Sequence, residues 1–149
     1  PNSAPPPTYT AAYPFKGNVD RWQEIKFFPS HLEIWTGAVD AGSESLDDPN
    51  RGGFHLKGFH GVTPETSETS FYIWTQASNP SRDKNETMKV VIEQTAETFD
   101  EDKVVIEAQF VNLKRFSKKQ KLDIHVDVGA NQARKIIKRL TDNNQTAKE

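Results

Sequence analysis

Near Asn79–Pro80 the spacing of apolar side chains changes, and that change constrains the fold of this 149-residue chain more than any other feature. Before it, from Trp22 onward, short runs rich in aromatic and β-branched residues are separated by Pro29–Ser30, by Ala41–Gly53 and by Thr63–Thr69. These separators carry turn chemistry, so the runs predict a meander of antiparallel strands. After it, apolar residues recur at Met88, Val91, Ile92, Ala96, Phe99, Ile106 and Phe110. With Asp83 and Glu86 spaced as a capping box, that periodicity predicts one long helix over roughly residues 84–113. A basic stretch, LKRFSKKQK, follows, then an alternating segment Leu122–Val128. Next comes Asn131–Leu140, where Ala133, Ile136, Ile137 and Leu140 form the stripe of a second, shorter helix. Strands first and a long helix later predict an α+β domain, a twisted antiparallel sheet packed against the helix.

Composition narrows what such a domain does. The opening PNSAPPPTYTAAYP favours extended, weakly ordered chain, so residues 1–18 are expected to be a proline-rich tail or severed linker and residues 19–149 the folded unit. One core suffices at this length, since such a chain buries about 70% of its unfolded surface. Nineteen basic and twenty-one acidic residues are interspersed and give a net charge of −2, which argues against nucleic acid as a partner. No run of apolar residues is long enough for a membrane span, and the amino end has neither the basic nor the apolar region of a signal peptide. A soluble, cytoplasmic protein is expected. Cysteine is absent. That removes disulfides, a cysteine nucleophile and any cysteine-held cluster within these residues, leaving His and carboxylate as the only metal chemistry to test.

The four histidines sort by strand face. On Gly53–Thr63, alternation puts Phe54, Leu56, His60 and Val62 on one face and His55, Lys57 and Phe59 on the other. His60 therefore points with the apolar set. It is either a core histidine satisfied by a neighbour or a polar group inside an apolar ligand pocket. His55 and His60 are five apart in HLKGFH, but an odd separation on a strand sends them to opposite faces. They could share a metal only across a bulge at Gly58. His125, between Asp123 and Asp127, is expected to be solvated like His55, and His31 to sit at the Pro29–Ser30 turn.

The long helix carries an anomaly. Steps of three, four and three residues from Phe99 reach Asp102, Ile106 and Gln109, so a carboxylate interrupts the apolar stripe. A buried carboxylate costs several kcal/mol unless it is paired or metal-bound, which leaves an ion pair and a metal ligand as competing readings. Asp100, Glu101 and Lys103 fall on the solvated side.

The strings VDRWQEIKFFP (Val19–Pro29), FHGVTPETSETSFYIWTQASN (Phe59–Asn79) and FDEDKVVIEAQ (Phe99–Gln109) resemble the carboxyl-terminal catalytic region of Rieske-type non-haem iron oxygenases of the vanillate O-demethylase kind. The resemblance spans about Val19 to Leu140. It implies a helix-grip fold around a mononuclear iron held by two histidines and a carboxylate. The carboxylate corresponds to Asp102, the second acidic residue of the ED pair. The two histidines belong to a motif expected upstream of this chain, as does the domain holding the [2Fe–2S] Rieske cluster. The chain is thus expected to be a fragment of a longer subunit, or a natural protein that departs from its family, and neither to hold iron stoichiometrically nor to turn over alone.

The resemblance places His60 in the substrate pocket, with Ile34 and Phe71, alongside Trp35, as apolar lining residues. It implies an aromatic acid substrate hydroxylated or O-demethylated with O2, electrons from a reductase, and a homotrimer when full length. The competing reading is a non-catalytic helix-grip domain enclosing an apolar cavity. Asp102 discriminates the two, because a binding-only module has no use for an unpaired carboxylate there.

Overall fold

The computed structural model describes residues 2–43, 46–79, 84–116 and 124–146. Four strands, β1 (Val19–Phe28), β2 (His31–Asp40), β3 (Phe54–Pro64) and β4 (Ser70–Ser78), form one antiparallel sheet in the order β1-β2-β3-β4. The register is continuous. Ile25 faces Ile34, which faces Gly58, which faces Gln76. A short helix α1 (Pro7–Ala12), the long helix α2 (Lys84–Arg115) and α3 (Val128–Thr146) complete the α+β architecture. The meander and the long helix stand where the sequence spacing puts them. Asp83, the expected helix cap, lies outside the described residues, and Glu86 occupies the first turn of α2.

Alternation gives the sheet two unlike faces. On the inner face, buried Val19, Ala38 and Phe54 meet Tyr9 of α1, whose ring lies 5.0 Å from that of Phe54 and whose hydroxyl is 2.8 Å from Thr36 Oγ1. The carboxyl-terminal end of β4 meets α2 on the same side, where Ser78 Oγ donates to Met88 Sδ at 2.9 Å.

On the outer face Arg51, 4% exposed, lies between the rings of Trp22 and Trp35, 4.3 and 4.0 Å from their centroids, and pairs with Glu24. Gly37 makes that packing possible. A Cβ there would stand 2.2 Å from the Phe54 carbonyl oxygen and 2.3 Å from the Trp22 ring, closer than any side chain tolerates.

Two expectations are corrected. The proline-rich opening is not loose. Pro7 sits in the first turn of α1, where its missing N–H costs nothing, Tyr9 is buried, and Ser3 bridges Val19 of β1. The amides of Gly42 and Asn2 also donate to the Asp20 carboxylate and hold it below the usual carboxylate range. The alternating segment ending at Val128 is not a strand in its described part. His125–Asp127 form a 3-10 turn, capped by the Ile124 N–H donating to Asp127 Oδ2 at 2.9 Å, and α3 begins at Val128.

Candidate functional site

His60 is nearly buried on the inner face of β3, as alternation predicts, and its surroundings are aromatic. Phe99 of α2 lies edge-on to three rings at once, 5.5 Å from His60, 6.1 Å from Tyr72 and 5.1 Å from Trp74. Strand pairing explains the assembly. His60 faces Trp74 directly and has Tyr72 on the neighbouring diagonal, within reach of long side chains. His60 Nδ1 lies 2.6 Å from the Tyr72 hydroxyl. Burial holds the His60 imidazole below the ordinary histidine range, so it is neutral at pH 7. Burial and the Asp102 carboxylate push the Tyr72 phenol up, so it keeps its proton.

Asp102 thus acts electrostatically on the group that bonds His60, one helical turn beyond Phe99. It is nevertheless exposed, because α2 beyond Phe99 leaves the covered part of the sheet, and Ile106 and Val105 are exposed with it. The solvation cost expected from the helical stripe therefore does not arise, and Asp102 makes no ion pair among the described residues. Farther along α2, Lys114 pairs with Glu68 of the β3–β4 turn.

The other expected lining residues divide. Ile34 is on the inner face, its Cβ 3.9 Å from where a Gly58 Cβ would stand. Phe71 and Trp35 are on the outer face. Phe71 is 56% exposed, and Trp35 stacks on Arg51. Tyr72 and Trp74 occupy the inward positions expected of Phe71. In FYIWT every residue from Phe71 to Trp74 is apolar or aromatic, so alternation of polarity cannot show which pair faces inward.

His55 is not solvated. Its Nδ1 accepts from Trp35 Nε1 at 3.1 Å, and its Nε2 lies 2.8 Å from the carbonyls of Arg51 and Gly52, so both ring nitrogens are engaged. Pairing runs without a bulge from His55 opposite Gly37 to His60 opposite Leu32, so the two histidines do not converge. His31 stacks between Phe28 and Phe59, and His125 is exposed. No group of three or more His, Cys, Asp or Glu side chains able to hold a metal occurs among the described residues.

The family model for the vanillate O-demethylase oxygenase C-terminal domain matches residues 1–143. The chain belongs to this family. Among relatives, it is 31% identical over 98% of its length to the vanillate O-demethylase oxygenase subunit of Pseudomonas sp. (strain HR199 / DSM 7063), covering 43% of that protein. It is 32% identical over 95% of its length to the subunit of the same name from Pseudomonas sp. (strain ATCC 19151), covering 45% of it. It is also 32% identical over 85% of its length to a putative toluene-4-sulfonate monooxygenase system iron-sulfur subunit of Comamonas testosteroni, covering 37% of it. The chain therefore spans less than half the length of the vanillate O-demethylase oxygenase subunits it matches. No solved structure matches it. No helix among the described residues is long and apolar enough to cross a membrane.

Proposed function

We propose that this chain forms the substrate-binding face of an oxygenase catalytic domain that hydroxylates or O-demethylates an aromatic acid, with Asp102 as one ligand of a mononuclear iron. One observation carries the reading. The only nearly buried histidine among the described residues and the ring of Phe99 meet at Tyr72 from two different elements, with Asp102 one helical turn beyond Phe99. The relatives' names specify vanillate and toluene-4-sulfonate, both benzene rings bearing an oxyanion, and around His60 the inner face offers the rings of Phe99, Tyr72 and Trp74, as small-molecule sites do.

Asp102 alone does not make an iron site, since two histidine ligands and the Rieske cluster would come from outside these residues. When bound, such iron supplies oxygen activation, using electrons from a reductase that reach it through the cluster. The residues of this chain hold the substrate, Phe99 and Trp74 by their ring faces and edges and His60 by a hydrogen bond.

The exposure of Asp102 favours a second reading, a non-catalytic domain that binds an apolar ligand, because a solvated carboxylate needs no metal to offset its burial. In a subunit containing these residues and its histidine motif, His60→Ala separates the two. An oxygenase retains its iron but consumes oxygen with less product per turnover, because a misplaced substrate is not in line with the reacting centre. Unchanged coupling, or no oxygen consumption by the parent subunit with its reductase, would overturn the proposal.

A further inference from the structure

His60 presents one ring nitrogen to Tyr72 and the other to the inner face. A Cβ placed on Gly58 would stand 2.9 Å from His60 Nε2, so that nitrogen lies over a backbone position with no side chain. The residue paired with Gly58 on β4 is Gln76, and directly opposed side chains start about 5 Å apart. The Gln76 amide nitrogen is buried and has no hydrogen-bond partner among the described residues. A buried amide donor without an acceptor is costly, so this nitrogen is open to an acceptor from outside the described residues.

The direction of the His60–Tyr72 bond decides what Nε2 offers. A phenol O–H is the better donor of the two, and an unprotonated imidazole nitrogen accepts better than a phenol oxygen. With the hydroxyl donating to Nδ1, the ring proton of neutral His60 is on Nε2.

We propose that Tyr72 is a positioning residue that fixes His60 as the Nε2–H tautomer, and that His60 Nε2–H and the Gln76 amide form a paired donor site over Gly58 for the oxyanion of an aromatic carboxylate or sulfonate. Gly58 is the floor of this site. Two donors cannot satisfy one another, and together they would select an acceptor group with at least two lone pairs. The inference rests on the aromatic-acid reading above and assigns the residues that would read the acid.

The test uses an oxygenase subunit containing these residues, with vanillate and toluene-4-sulfonate as probes and vanillyl alcohol as the neutral ring. Binding is followed by tryptophan fluorescence, because Trp74 packs against Phe99. The expected result is a preference for the two acids on the order of tenfold, the worth of a charge-assisted hydrogen bond. Gln76→Leu should abolish the preference, and Gln76→Asn, which keeps the amide, should retain part of it. Melting curves of both variants show that each is folded.

Separately, long-range proton–nitrogen spectra should show His60 protonated only at Nε2, and as a mixture of tautomers in Tyr72→Phe. Proton on Nδ1 in the parent subunit would overturn the positioning role whatever binds. Equal affinity for acid and alcohol, or an intact preference in folded Gln76→Leu, would overturn the donor pair and leave the aromatic reading standing. Failure of the parent subunit to bind any of the three rings would overturn that reading and the donor pair with it.

Discussion

His60 Nδ1 and the Tyr72 hydroxyl lie 2.6 Å apart across β3 and β4, and the pair works only while the imidazole is neutral and the phenol protonated. The folded-state His60 is held below its ordinary range by burial, so near pH 6.5 and below the unfolded chain binds that proton more readily than the folded one. Stability from this residue is therefore complete above about pH 6.5 and is lost as pH falls from there toward the lowered folded value. Melting temperature measured from pH 8 to pH 5 should drop less steeply in His60→Gln than in the parent. Parallel curves would contradict the assignment.

Phe99 is the contact through which α2 is seated on the His60 face. Phe99→Ala removes a ring from three aromatic partners and should cost about 3 kcal/mol, a melting temperature lower by about 6–12 °C. Calorimetry of the variant checks this, and a shift under about 2 °C would mean that the helix is held elsewhere.

Arg51 is held by shape as much as by charge. Arg51→Lys keeps the charge but loses the planar group between Trp22 and Trp35. A loss of about 2 kcal/mol in urea unfolding is expected, since ammonium neither stacks nor forks. No change would show that the ion pair with Glu24 alone accounts for its burial.

Gly37→Ala should be the most damaging single methyl in the sheet. Its Cβ would meet a backbone oxygen, which cannot rotate away, so a loss of about 3 kcal/mol or more, or failure to fold, is expected. A folded variant melting within about 2 °C of the parent would contradict the close approach.

Much of this was legible in the residues. The shift from strand to helix spacing located the meander and α2, and alternation alone put His60 inward and separated it from His55. At the candidate site three things were not legible, each for a physical reason. Phe71 and Tyr72 are both apolar enough to face inward, so only the register with β3 shows that Tyr72 does. His55 looked solvated because its polar partners, the carbonyls of Arg51 and Gly52 and the Trp35 indole, are supplied by tertiary structure. Asp102 continues the apolar stripe of α2, but a stripe shows which side of a helix is shared and not how far along it is covered. Here the cover among the described residues ends near Phe99.

The role of Asp102 is the central claim, and one comparison tests it most directly. In an oxygenase subunit containing these residues with its Rieske domain, iron per subunit and the visible absorption of the cluster are measured for Asp102→Ala, Asp100→Ala and Glu101→Ala. Asp102→Ala alone should lose the mononuclear iron and all product formation while the cluster absorption is unchanged, because the substitution removes one metal ligand and touches no cluster residue. Full iron content in Asp102→Ala, or loss of iron in Asp100→Ala with Asp102→Ala intact, would contradict it.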